Sequence, residues 1–161
     1  MYFIIDGYNL LFTCSTDMRS LEIQRGGLLK WMQIQFSQLN LTGMIVFDGG
    51  NQMFNECDIS YQSPLEIAYT PKGQSADAYI VECLNHLKTA KITTIVTNDK
   101  GLLSHCRPFT SKSMSSQAFI RWILKKSKNK KDRQRQVPKE SSYQIDRMTK
   151  IFEDLLNSEE F

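Results

Sequence analysis

Apolar residues in this chain follow two rhythms, and the shorter one keeps stopping on an acid. Tyr2-Phe3-Ile4-Ile5 runs into Asp6-Gly7, Met44-Ile45-Val46-Phe47 into Asp48-Gly49-Gly50, and Thr93-Thr94-Ile95-Val96-Thr97 into Asn98-Asp99-Lys100-Gly101. Short runs rich in β-branched and aromatic residues, closed by turn residues, predict buried strands. Leu65 to Tyr69 predicts a further strand, and a weaker one is expected from Phe109 to Lys112. Residues 51–63 show no period and are expected to form a loop.

The longer rhythm is helical. Leu21, Leu28, Leu29, Met32, Phe36 and Leu39 predict an amphipathic helix from about Arg19 to Gln38, with Ser15-Thr16-Asp17 as its cap and a bend at Gly26-Gly27. Ser75 is expected to cap a second helix reaching Ala90, with Ala76, Tyr79, Ile80, Cys83, Leu84 and Leu87 on one face. A short helix follows from Lys100 to Cys106. Ser115 or Ser116 then starts another, which presents Phe119, Trp122 and Ile123 before giving way to a lysine run. Ile145, Met148, Phe152, Leu155 and Leu156 mark a last amphipathic helix.

Strands alternating with helices imply a parallel α/β sheet, whose ligand crevice lies outside the carboxyl ends of the strands. Asp6, Asp48 and Asp99 therefore share one rim. Asp77 joins them, because it lies in the first turn of a helix that leaves a strand at the same end. Each acid also has a plainer reading: Asp-Gly is ordinary turn chemistry, and an acid in a first turn complements the helix dipole.

Composition narrows the class. At 161 residues the chain is long enough for one domain with a proper core, and its 41% hydrophobic and 23% charged content are those of a globular protein. No run approaches the length of a membrane span, and no export signal is apparent, so a cytoplasmic protein with no membrane partner is expected. Cys14, Cys57, Cys83 and Cys106 are too scattered to suggest a zinc site. Between Arg121 and Lys139 nine basic residues face Asp132 alone, a local balance of +8 in a chain of +3, so the remainder carries −5. An acidic body with a basic stripe points to a polyanionic partner.

Two carboxylates about 5 Å apart repel by about 3 kcal/mol at an effective dielectric near 20. Four at one rim must spread apart, take up protons, meet Lys or Arg, or share a divalent cation. Oxygen donors alone suit Mg²⁺ or Mn²⁺, which activates water and stabilises charge on a phosphate. A hydrolase acting on a phosphodiester fits both the acidic rim and the basic flank.

The segments I-I-D-G-Y-N, V-F-D-G, Y-T-P-K-G-Q-S-A-D-A-Y-I-V-E and V-T-N-D-K-G-L, in this order, resemble the NYN branch of the PIN-like nucleases, and specifically its YacP-like group. The resemblance covers about Met1 to Trp122. It implies a single three-layer α/β/α domain with a parallel sheet of order 3-2-1-4-5, placed at 1–124; charge and periodicity add a basic segment at 125–140 and a C-terminal helix at 141–161 that packs on the domain or on a partner. It also implies a metal-dependent endoribonuclease, with mRNA on the ribosome as its expected setting. By position, Asp6, Asp77 and Asp99 match the family's metal-binding acids and Asp48 a further acid, while Asn9 and Asn98 match polar residues beside the site. The segment from Cys106 to Ser116 departs from the group's Gly- and Arg-containing pattern, which bears on substrate choice.

Other residues carry two readings. Gln74 and Ser75, at a helix start, can hold a phosphate or merely cap the helix. Lys72, Lys100 and Arg25 can contact RNA or remain solvated, and Tyr8 can stack on a base or pack in the core. Lys125, Lys126, Lys128, Lys130, Lys131, Arg133 and Arg135 can grip phosphates or solubilise a tail. His86 and His105 are placed away from the rim. Two rival functions share the fold: an RNA- or ribosome-binding protein that does not cut, and a phosphatase of small molecules.

Overall fold

The computed structural model describes residues 1–14, 20–49, 58–110, 112–133, 149–151 and 154. Its framework is set by β1 (Tyr2–Asp6), whose backbone pairs in parallel with β2 (Thr42–Phe47) on one edge and β5 (Thr94–Val96) on the other. Being paired on both edges and buried on both faces, β1 reads as a near-continuous apolar run. Outside β2 lie β4 (Leu65–Tyr69), parallel, and β3 (Asp58–Gln62), antiparallel; outside β5 lies the two-residue β6 (Ser113–Met114). The order is β3-β4-β2-β1-β5-β6. The five parallel strands, counted without β3, give the expected order 3-2-1-4-5.

Two local expectations are corrected. Residues 51–63 are not all loop, because 58–62 form β3. Its sequence, D-I-S-Y-Q, carries only two apolar residues, and backbone pairing to the edge of β4 makes the strand rather than a hydrophobic run. The strand expected at 109–112 forms instead at Ser113–Met114, where the amides of Ile95 and Thr97 donate to the carbonyls of Lys112 and Met114 at 3.0 and 3.2 Å.

Strand alternation builds one core on each face of the sheet. Phe3, Ile5, Ile45, Phe47, Leu65, Ile67 and Val96 face α1 (Gly7–Cys14), α2 (Leu21–Leu39) and α5 (Ser116–Arg133). Ile4, Val46, Ala68 and Ile95 face α3 (Ala76–His86) and α4 (Lys100–Cys106). The α/β/α layering follows from period 2 in the strands meeting an apolar stripe on each helix.

The helices differ from their expected limits in instructive ways. The chain passes from β1 into α1 with no intervening turn, so Gly7 is not there for a turn conformation. A Cβ at Gly7 would stand 2.6 Å from the Phe47 ring and 2.7 Å from the Val46 carbonyl oxygen. Absence of a side chain lets the start of α1 lie against β2. Helix α2 is capped by Ser20 and runs through Gly26-Gly27 as one helix; the expected cap at 15–17 lies outside the described residues. Leu21, expected in the core, is exposed at its first turn. Helix α3 stops at His86, followed by a 3₁₀ turn at Ala90–Ile92.

Helix α5 continues through the lysine run to Arg133 instead of ending before it. It packs along α2, where Ser127 donates to the Gln35 side chain and Lys130 to the Gln38 carbonyl, while within α5 Lys126 lies 4.5 Å over the Trp122 ring one turn back. Residues 134–148 and most of 149–161 lie outside the described residues, and with them Arg135 and most of the expected C-terminal helix; 149–151 and 154 are helical.

Gly7→Ala should destabilise the protein by about 1–3 kcal/mol through this overpacking. Gly26→Ala, whose Cβ meets nothing within 4 Å, should stabilise it by up to ~1 kcal/mol. Urea denaturation of both variants checks the contrast; equal effects would remove the packing role assigned to Gly7.

Candidate active site

The carboxyl end of β1 delivers Asp6. By alternation its side chain shares a face with Ile4, towards α3 and α4, and it is 9% exposed. Two groups hold it: the Asn9 amide donates to Oδ1 at 3.2 Å and the Thr97 hydroxyl donates to Oδ2 at 3.0 Å. A carboxylate has about four lone-pair sites, so each oxygen keeps capacity for another partner.

Asp77 and Asp99 approach from the two helices on that face. Asp77 lies in the first turn of α3, after Ser75, whose hydroxyl accepts from the Ala78 amide at 3.2 Å. Asp99 is the N-cap of α4, its Oδ1 accepting from the amides of Gly101 and Leu102 at 2.6 and 3.1 Å. Asp6 and Asp77 both sense the charge of Asp99. Burial raises the proton affinity of Asp6 above its ordinary value, the Asn9 amide and Thr97 hydroxyl oppose this, and the charges of Asp77 and Asp99 raise it further. Asp77 is raised by burial and then by Asp99, while His105 lowers it.

His105, expected away from the rim, lies on α4 near enough for its charge to act on Asp77. His86, at the far end of α3, stays away from the acids. Asp48 follows β2 on the same rim and is exposed. The structure thus brings Asp6, Asp77 and Asp99 near one another.

A polar clip fixes the rim from the β5 side. Asn9 Oδ1 accepts from the Asn98 amide at 2.9 Å and from the Ser116 hydroxyl at 3.0 Å. Asn98 in turn accepts from the Ser116 amide at 2.9 Å and donates to the Thr13 hydroxyl at 3.3 Å. Thr97 joins clip and acids, because the oxygen that donates to Asp6 also accepts from the Asp99 amide at 3.0 Å. Asn9 and Asn98 are therefore engaged with protein groups, and their arrangement suits positioning. Sequence reasoning missed Thr97 and Ser116 as site residues. Ser116 is buried and capping falls to Ser115, whose hydroxyl accepts from the Ala118 amide at 3.1 Å.

Of the residues considered for RNA, Lys72 and Lys100 are exposed beside the starts of α3 and α4. Gln74 donates to Glu82 at 2.7 Å, and Ser75 acts as a cap. Lys125, Lys126 and Lys128 are exposed on α5, and Lys130, Lys131 and Arg133 follow on the same helix. Lys130 lies fourteen residues beyond Ser116, roughly 21 Å along a helix leaving the acid rim.

The donor set is oxygen only, as Mg²⁺ and Mn²⁺ prefer. Among the described residues no three His, Cys, Asp or Glu side chains are grouped closely enough to hold a metal ion by themselves. Mg²⁺ characteristically keeps several waters and binds through one or two carboxylates, so the open acid rim fits a hydrated ion.

The α/β/α sheet has the architecture of a nuclease-family fold. The family model described as the YacP-like NYN domain matches residues 3–158, and the chain belongs to that family. Two crystal structures of Rae1 (YacP) from Bacillus subtilis share the fold. A mutant form superposes with a TM-score of 0.66 at 18% identity over 96% of each chain. The second gives 0.62 at 18% identity over 84% of this chain and 80% of that one. No curated protein matches the chain. Among the described residues no helix is long and apolar enough to cross a membrane.

The raised Asp6 has a measurable consequence in metal-free protein. A carboxyl whose folded pKa lies above its unfolded value stabilises the fold at low pH, and that contribution is lost as pH rises through the folded value. Asp77 has the same sign. In chelator, Asp6→Asn should therefore lose stability less steeply than the parent between pH ~4 and ~7. Urea midpoints across that range check this; a steeper fall in the variant would contradict it.

Proposed function

We propose that this protein is a metal-dependent endoribonuclease. The observation that carries the reading is the meeting of Asp6, Asp77 and Asp99 at the carboxyl end of a parallel sheet, where the Thr97 hydroxyl bonds both Asp6 and the Asp99 amide and the charges of Asp77 and Asp99 reach Asp6. Uncompensated, that arrangement is unfavourable, and a divalent cation relieves it. Membership of the YacP-like NYN family supports RNA as the substrate class.

In this reading Asp6, Asp77 and Asp99 hold Mg²⁺ or Mn²⁺, with Asp48 assisting from the outer rim. The bound ion would supply charge neutralisation at the scissile phosphate and a water of lowered pKa. The chain's own groups do the rest. Thr97 keeps Asp6 and the start of α4 in register, so the two acids cannot separate when the metal leaves. Asn9, Asn98 and Ser116 tie α1, the end of β5 and the start of α5 into one rigid frame. Lys72 and Lys100, at the starts of the helices that bring Asp77 and Asp99, offer positive charge to the RNA backbone. The lysines of α5 give non-specific grip away from the site, on the RNA itself or on the ribosome that presents it as mRNA. The protein would act in the cytoplasm.

Asp77→Asn should abolish metal-dependent cleavage of a single-stranded RNA, by at least about 100-fold, while leaving the melting temperature nearly unchanged. Cleavage retained by the purified variant would sink the assignment. If the parent binds RNA with no metal-dependent turnover, the chain is a binding module; if it hydrolyses small phosphomonoesters instead, it is a phosphatase. Adding programmed ribosomes to the same assay reads the ribosome requirement directly.

Replacing the exposed Lys125 and Lys128 by Gln should reduce the salt dependence of RNA binding by about 0.7 in slope for each phosphate no longer neutralised. An unchanged slope in a salt titration would return both residues to solubility alone.

A further inference from the structure

Helix α1 carries three faces. Leu10, Leu11 and Cys14 are buried in the core, and Asn9 and Thr13 belong to the polar clip. The third face bears Tyr8 and Phe12, one turn apart, with ring centroids 5.8 Å apart and planes at 17°. Phe12 is 63% exposed.

A lone exposed phenylalanine needs no explanation, but this ring is the outermost of a series. Tyr8 meets Phe47 edge-on at 5.1 Å, and Phe47 stacks with Tyr69 at 5.6 Å. The Arg25 guanidinium lies 5.2 Å from the Tyr69 ring centre and 5.9 Å from that of Phe47, and it donates to the Tyr8 hydroxyl at 3.1 Å. Its partners among the described residues are thus rings and a hydroxyl, not a carboxylate. The cluster stands where β1, β2 and β4 end, and Tyr8 is two residues beyond Asp6.

We propose that Phe12, backed by Tyr8 and the positive charge of Arg25, is a stacking platform for an unpaired base of single-stranded RNA. This deepens the nuclease reading and rests on it. The occupant follows from the chemistry. A flat ring, held parallel to a second ring with a guanidinium close by, matches a base with its phosphate nearby better than a purely apolar partner. Every base has a π-face, so the platform tolerates any sequence but requires an unpaired strand. A duplex would keep its bases stacked on one another and leave Phe12 uncovered.

The test is binding of a fluorescein-labelled twelve-nucleotide oligouridylate, in Mg²⁺, to the full chain carrying Asp77→Asn so that nothing is cut. Adding Phe12→Ala should weaken binding about 5- to 100-fold, and Phe12→Leu nearly as much, while Phe12→Trp stays within about 2-fold. A strand of the same length with abasic sites in place of the bases should bind with equal affinity whether or not Phe12→Ala is present. Undiminished affinity for the oligouridylate in Phe12→Leu, or an abasic strand that binds Phe12→Ala more weakly, would overturn the platform. Cleavage by the chain with Asp77 intact, measured separately, tells the failures apart: cleavage with no effect at Phe12 removes the platform alone, whereas neither binding nor cleavage removes both readings.

Discussion

The site depends on one constraint: β1 is hydrogen-bonded along both edges and ends on a carboxylate. A strand paired on both sides cannot slide by one residue without turning its entire apolar set inside out. Asp6 is therefore fixed on the same face as Ile4, and that face is covered by α3 and α4. The helices bring Asp77 and Asp99 to it because both begin at the carboxyl end of the sheet. Convergence of the acids is a consequence of topology and register, not of a local motif.

Such convergence opposes folding, and the surrounding contacts show how the fold contains it. Asp99 uses one oxygen to cap α4 and Asp6 accepts from a backbone amide and a hydroxyl, so negative charge is met by fixed dipoles. Thr97 is central, since a single hydroxyl restrains both Asp6 and the backbone of Asp99. Asp6 and Asp77 are nevertheless raised, first by burial and then by neighbouring carboxylates. The aromatic cluster lies on the opposite face of the same sheet end, where Phe47 and Tyr69 emerge by the same alternation. One rim thus offers acids on its α3/α4 side and flat rings on its α1/α2 side.

Much of this is legible in the chain. Asp6 and Asp99 stand directly after apolar runs, and Asp77 stands in a helix start marked by Ser75, so period and turn chemistry are enough to bring them to one rim. Asp48 has the same local signature at the end of β2. Thr97 and Ser116 carry no comparable signal. Their bonds to Asp6 and Asn9 span 91 and 107 positions, and a threonine after a strand or a serine before a helix looks like ordinary local structure. Asn9 and Asn98 stand out only through the family resemblance. Gly7 has the sequence signature of a turn residue, whereas its role is to let α1 touch Phe47. Strand β3 escapes sequence reasoning because an edge strand can form from backbone pairing with little apolar content. The lysine run looks like the end of a helix by composition, yet Gln35 and Gln38 of α2 give it a surface to lie on.

The most direct test is a crystal of the protein soaked in Mn²⁺, with the anomalous signal of manganese used to locate the ion. A peak between Asp6, Asp77 and Asp99 is the expected result. Crystals fully equilibrated with the metal that show no peak there, or a peak at Asp48 alone, would contradict a metal-dependent site at this rim.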